Sequence, residues 1–119
     1  MVSVVLWQRI EGALVFAAAI LIFIALASDL PWWLALILFF APDITFAAYL
    51  AGPRVGALIY NTAHVYALGA MVLAAGLALD TPLASALGAL WLAHSGFDRL
   101  LGYGLKFPES FKKTHLGDL

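Results

Sequence analysis

Four apolar stretches, each long enough to cross a bilayer and separated by only a few residues, constrain this chain more than any other feature. A membrane-spanning helix takes about 20 mostly apolar residues. The first stretch covers 4–27 and is interrupted only by Gln8, Arg9 and Glu11. The second covers 32–51 and contains Asp43; the third covers 55–79 and contains Asn61 and His64; the fourth covers 83–103 and contains His94, Asp98 and Arg99. Ser28-Asp29-Leu30-Pro31, Gly52-Pro53 and Asp80-Thr81-Pro82 punctuate the breaks, with Asp29 a cap and Pro31 able to open the next helix. Connections this short make neighbouring helices antiparallel. The expected fold is all-α, an antiparallel four-helix transmembrane bundle. It forms one integral membrane domain over 1–119, with a short cytoplasmic tail over 104–119. The first stretch carries Glu11 early and lacks a small-residue cleavage motif, so it reads as a span rather than a signal peptide.

Composition excludes the main alternatives. Hydrophobic residues make up 65% of the chain and charged ones 11%, against about a quarter charged in soluble domains. The mean hydropathy is +1.01. Such a chain cannot clothe a water-facing surface, which removes a soluble enzyme and a disordered tail. A formal net charge of −1 removes a nucleic-acid partner. The absence of cysteine removes disulfides, thiolate metal sites, iron–sulfur clusters and a catalytic Cys. All six cations (Arg9, Arg54, Arg99, Lys106, Lys112, Lys113) fall on one side of the four-span layout, while Asp29 and Asp80 lie in the opposite loops. The positive-inside rule then predicts an inner (plasma) membrane protein with both termini cytoplasmic. Trp7, Trp32, Trp33 and Tyr103 read as interfacial residues. Pro108-Glu109-Ser110-Phe111-Lys112-Lys113 reads as a short surface helix anchored by Phe107 and Phe111.

Ionisable side chains at bilayer depth are costly, about 2.5–3.5 kcal/mol for Asp or Arg on insertion scales, and mark function by default. At a rise of about 1.5 Å per residue, Asp43 and His94 lie about 12 Å, and His64 about 15 Å, from the cytoplasmic ends of their spans. Asp98 is one turn shallower than His94 on the same helix face, and Glu11 is in the same half. The outer half of every span is almost featureless. Five acids and imidazoles from four helices are therefore expected to share one slab, and bundles build metal sites from such inward-facing groups. Small residues on the third span, among them Gly56, Ala63 and Gly69, permit close helix approach. The bland reading of the same residues is a hydrogen-bonded network that locks helices together, with Asp43 paired to Arg54 or Arg99.

Several segments carry a resemblance. They are Ala41-Pro42-Asp43, Tyr49-Leu50-Ala51-Gly52-Pro53-Arg54-Val55-Gly56, Tyr60-Asn61 with His64, and Ala93-His94-Ser95-Gly96-Phe97-Asp98-Arg99 running on through Gly102-Tyr103-Gly104-Leu105-Lys106. Phe111-Lys112 and Thr114-His115-Leu116-Gly117 belong to the same pattern. Together they resemble a bacterial family of about this length, catalogued as a small membrane domain of unknown function. The resemblance implies the four-helix membrane fold. It also implies that Asp43, Arg54, His64, His94, Asp98, Arg99 and His115 belong to the family pattern, and it supplies no activity.

The leading functional expectation is a metal-dependent membrane hydrolase acting on a lipid or other amphiphile. His64, His94 and Asp98 are the expected ligands, with His115 able to fold back over the site. His and carboxylate donors suit Zn, Fe or Mn. Glu11 is the expected general base, and Asp43 a fourth ligand or an orienting group. Arg54, Arg99 and Lys106 are expected to hold an anionic head group, and Tyr60 and Asn61 to support the site. Three other classes compete. His64 and His94 could ligate a b-type haem for electron transfer; Glu11 could serve a proton-coupled transporter; the polar slab could be the interior of a subunit of a membrane complex. Homo-oligomerisation is compatible with all of these.

Overall fold

The structure is a computed structural model, and it describes residues 3–26 and 28–118. The chain is all-helical apart from a small C-terminal hairpin. Helix α1 (Val4–Ala25) starts where the Ser3 hydroxyl accepts the Leu6 N–H. Helix α2 (Trp32–Phe39) opens after Pro31, which itself occupies the cap position; no side chain caps the helix, so Asp29 does not serve as the expected cap. It passes directly into a 3-10 helix, Ala41–Ala51. Then come α3 (Pro53–His64), α4 (Tyr66–Ala78) and α5 (Pro82–Leu101). Two short strands, β1 (Lys113–Thr114) and β2 (Gly117–Asp118), pair antiparallel.

Helix α5 is the hub. Gly69 abuts Leu92, Leu73 abuts Gly88, and Gly76 abuts Ser85, so α4 and α5 run antiparallel with their backbones in contact. On the other side Gly12 abuts Gly96 and Arg99, Phe16 lies against Gly96, and the Arg9 guanidinium donates to Leu100 O at 2.9 Å. A Cβ at Gly12 or Gly88 would overlap its neighbour, which is the small-residue approach by which helices associate in lipid. Helix α5 ends on Gly102 at φ 92, where Gly102 N donates to Arg99 O and Tyr103 N to Asp98 O. This pair of hydrogen bonds satisfies two of the last carbonyls and stops the helix.

Two of the four expected spans are not regular. Pro42 has no N–H and its ring crowds the preceding turn. The ladder tightens accordingly, with Phe40 N donating to Ile37 O and Asp43 N to Phe40 O. The expected third span is broken: Val65 is extended (φ −73, ψ 151), and α3 meets α4 at a bend of 43°. Val4–Ala25 and Trp32–Ala51 are each long and apolar enough to cross a membrane, and the bent pair α3–α4 makes a third if taken as one span. Helix α5 carries Ser85, His94, Ser95, Asp98 and Arg99, all buried. Flanked by α1 and α4, it has little surface that must be apolar. Large apolar side chains instead face outward elsewhere, including Trp32 at 79% and Leu50 at 94% exposure. That surface suits lipid rather than water.

The expected surface helix at 108–113 does not form. The tail folds as a hairpin instead, with Thr114 bridging back to Lys106. Phe111 packs against Phe46 and Tyr49 of the 3-10 helix, and both Phe107 and Phe111 keep an exposed face.

Candidate metal centre

A 3-10 helix has three residues per turn, so side chains at i, i+3 and i+6 stack. That geometry puts Asp43, Phe46 and Tyr49 in one stripe facing α3. Tyr49 lies on Gly56, Phe46 on Tyr60 (ring centroids 5.1 Å apart), and Asp43 reaches His64. Regular α geometry would have splayed this stripe. Pro42 is the sequence signal for the change.

The break after His64 places the second candidate ligand. A helix that stops inside an apolar domain leaves carbonyls that need donors. Trp91 Nε1 donates to Ala63 O at 2.6 Å, and Arg99 Nη2 donates to His64 O. Arg99 Nη1 also donates to Tyr103 O at 2.9 Å. Arg99 is 3% exposed and directs Nη1 and Nη2 at the carbonyls of Tyr103 and His64. It therefore braces the break and does not line an anion site at the surface, contrary to the sequence expectation. The role of Trp91 in closing the break was not legible in the sequence.

Helix α5 supplies His94 and Asp98, one turn apart. The four donor atoms converge. His64 Nε2 lies 3.2 Å from Asp43 Oδ1, 3.2 Å from His94 Nε2 and 3.5 Å from Asp98 Oδ2. His94 Nε2 lies 3.2 Å from Asp43 Oδ1 and 3.3 Å from Asp98 Oδ2. All four donors fall within 4.8 Å of one another. An ion bonded tetrahedrally to N and O donors at about 2.0–2.1 Å holds them about 3.3–3.4 Å apart, which matches five of the six separations. Asp43, His64, His94 and Asp98 thus form a group that could hold a metal ion.

The proton inventory points the same way. His64 Nδ1 lies 2.7 Å from the carbonyl of Tyr60, which can only accept, so the ring proton sits on Nδ1. That leaves His64 Nε2 with a lone pair aimed at two carboxylate oxygens and a second imidazole nitrogen. One proton on His94 Nε2 can serve only one of those neighbours at a time; His94 Nδ1 is buried without a partner whichever ring nitrogen carries the proton. Four electron-rich atoms facing one centre repel unless a cation lies between them. A backbone carbonyl fixing the outer nitrogen of His64 is also the usual support for a metal-bound imidazole. Both rings are gripped by aromatics. Tyr60 stacks on His64 at 3.8 Å, and Phe39 meets His94 edge-on at 5.4 Å.

The cluster opens on one side. The Asp98 side chain is 11% exposed, whereas that of Asp43 is 35% exposed. Both border a cavity of ≈ 290 Å³ lined also by Phe46, Tyr60, Tyr103 and Lys106. A second, apolar cavity of ≈ 430 Å³ runs between the 3-10 helix, α4 and α5. Pro42 and Ala63, each immediately before a cluster residue, are in its wall.

The remaining expected site residues are placed as follows. Glu11 is exposed on α1 and lies outside the cluster, so it is not positioned to act as its base. Arg54 is exposed at the start of α3 and pairs with neither Asp43 nor Asp98 among the described residues; Asp43 meets the two histidines instead. Asn61 is the tail's clasp: its Nδ2 donates to Lys106 O at 2.8 Å and its Oδ1 accepts Lys106 N–H at 2.6 Å. Lys106 is 4% exposed, and burial pushes its ammonium below its ordinary pKa. His115 is not a ligand. It is exposed, its Nδ1 accepts the Leu105 N–H at 2.8 Å, and partial burial and the nearby Arg99 charge hold its pKa below 6.5. Haem does not fit. Axial ligands face each other across a macrocycle, and here two Nε2 atoms approach to 3.2 Å with Asp43 Oδ1 touching both.

Comparison with curated proteins and with solved structures returns no match. A family model does match, over residues 5–119, nearly the whole length. The chain, with this buried His/Asp group at its centre, belongs to the family described as a domain of unknown function (DUF4260).

Proposed function

We propose that this protein is a membrane-embedded metalloenzyme whose Asp43, His64, His94 and Asp98 hold one divalent ion, and that it hydrolyses an amphiphilic substrate. The observation that carries the reading is the convergence of four donors at 3.2–3.5 Å around a lone pair of His64 that the Tyr60 carbonyl has fixed. Two imidazoles and two carboxylates suit Zn, Fe or Mn. A divalent ion held there would lower the pKa of a bound water to about 7, the chemistry a hydrolase needs at neutral pH. Asp43 is the most exposed donor of the four, so it is the ligand that would give way when water binds the ion and would then take that water's proton. As oxygen bonds to the substrate's carbonyl carbon and the ester C–O bond breaks, Asp43 returns that proton to the leaving oxygen. The apolar cavity beside Pro42 and Ala63 suits the substrate's chain.

The four-crossing arrangement with cytoplasmic termini belongs to this proposal. It is supported by the one-sided basic residues and the outward apolar surface. The test is elemental analysis of detergent-purified protein, followed by hydrolysis of chromogenic acyl esters of increasing chain length. About one ion per chain and turnover lost in Asp43→Asn are expected. Protein that takes up no ion after incubation with Zn, Fe(II) or Mn defeats the metal reading. A stoichiometric ion without any hydrolysis favours transport or a structural subunit.

A further inference from the structure

Lys106 is the feature that the metal site leaves unexplained. Its backbone is fixed on both sides by Asn61, and its Nζ donates to Phe111 O at 2.9 Å. The ammonium lies 4.1 Å from the Phe111 ring centre, 4.9 Å from that of Tyr60 and 5.9 Å from that of Phe46. An ammonium has three donors, and one is used. No carboxylate among the described residues lies within ion-pair distance of Lys106 or Arg99. Yet Lys106 lines the same cavity as Asp43 and Asp98.

Charge balance then decides what the cavity takes. A divalent ion is neutralised by the Asp43 and Asp98 carboxylates. Arg99 and Lys106 remain as buried positive charge, and Arg99 is committed to backbone carbonyls. Unpaired charge in a low-dielectric site is expensive. The loaded site therefore calls for an anion, and Lys106 is the one cation among the residues that line the cavity. Resting on the metal reading, we infer that the cavity binds the anionic head group of an amphiphile between the ion and Lys106 Nζ, and that Lys106 sets this selectivity.

The test uses full-length protein loaded with cobalt(II) in a neutral detergent, with the visible cobalt bands as readout. The probes are decanoate, decanol, decyltrimethylammonium and acetate. Decanoate is expected to shift the bands, while decanol and decyltrimethylammonium leave them unchanged. Lys106→Gln is expected to raise the decanoate midpoint about tenfold or more, the worth of a lost charge-assisted hydrogen bond, with cobalt content intact. Lys106→Arg is expected to restore the response, which separates lost charge from a displaced tail. Equal response in Lys106→Gln, or equal response to decanol, overturns the inference alone. A response to acetate at the decanoate concentration overturns its amphiphile part and leaves a small-anion site. Wild-type protein that retains no cobalt overturns the metal reading and this inference with it.

Discussion

The α1–α5–α4 layer and the segment from the 3-10 helix through α3 differ in how they are built. The first is regular and packed backbone to backbone through Gly12, Gly69, Gly88 and Gly96. The second contains a proline-tightened helix and a broken one, and its carbonyls are completed by side chains from α5. The candidate ligands straddle the two: His94 and Asp98 come from the regular layer, Asp43 and His64 from the irregular segment. Regular helices set depth and spacing. The irregularities turn donors inward that a straight helix would have aimed elsewhere.

The sharpest break of this comparison removes a donor. His94→Ala is expected to weaken ion binding by 100-fold or more, read by elemental analysis, while the circular dichroism spectrum keeps its helical shape. Unchanged ion content would reduce the cluster to a hydrogen-bonded network. Next comes the brace. Arg99→Met leaves His64 O without its donor, at a cost of about 1–3 kcal/mol, and is expected to lower ion affinity about 10–100-fold as lost support does elsewhere.

Gly88→Val tests the regular layer, where a Cβ would overlap the Leu73 backbone. A loss of about 1–3 kcal/mol is expected, seen as a lower melting temperature in detergent, with ion content following the folded fraction. Pro42→Ala returns an amide N–H where the ladder tightens. It is expected to weaken ion binding about tenfold with helix content equal or higher, because Asp43 leaves the stripe it shares with Phe46 and Tyr49.

The smallest effect lies in the tail. The His115 pKa is depressed, so its neutral ring favours the docked tail, and that contribution is fully present above about pH 6.5. It is lost as pH falls from there through the depressed value. The amide NMR signal of Leu105, which donates to His115 Nδ1, is expected to move over that range in wild type and stay put in His115→Ala.

Much of this was legible in the chain. Apolar length marked the helical segments, Pro31, Pro53 and Pro82 their starts, and the spacing of His94 and Asp98 one face of α5. His64 and Asp43 were singled out because ionisable groups are costly in lipid. The break at Val65 was not legible, since Ala63-His64-Val65-Tyr66 contains neither Gly nor Pro. Its partners, Trp91 and Arg99, are remote in sequence. Glu11 was misjudged because depth along a span says nothing about which way a side chain turns, and α1 turns it outward. The tail hairpin was missed because its anchors lie elsewhere: Asn61 and the aromatics of the 3-10 helix.

The sequence by itself determined that the chain is helical and apolar outside, and which few polar residues must meet, because burying a charge alone costs more than a small domain can spare. Only the tertiary structure decided that Asp43, His64, His94 and Asp98 meet at ion-sized distances while Glu11 and His115 do not. The physical reason is that convergence of all four donors to within 4.8 Å depends on the local twist at Pro42 and the bend at Val65, which are set by contacts between segments far apart in the chain.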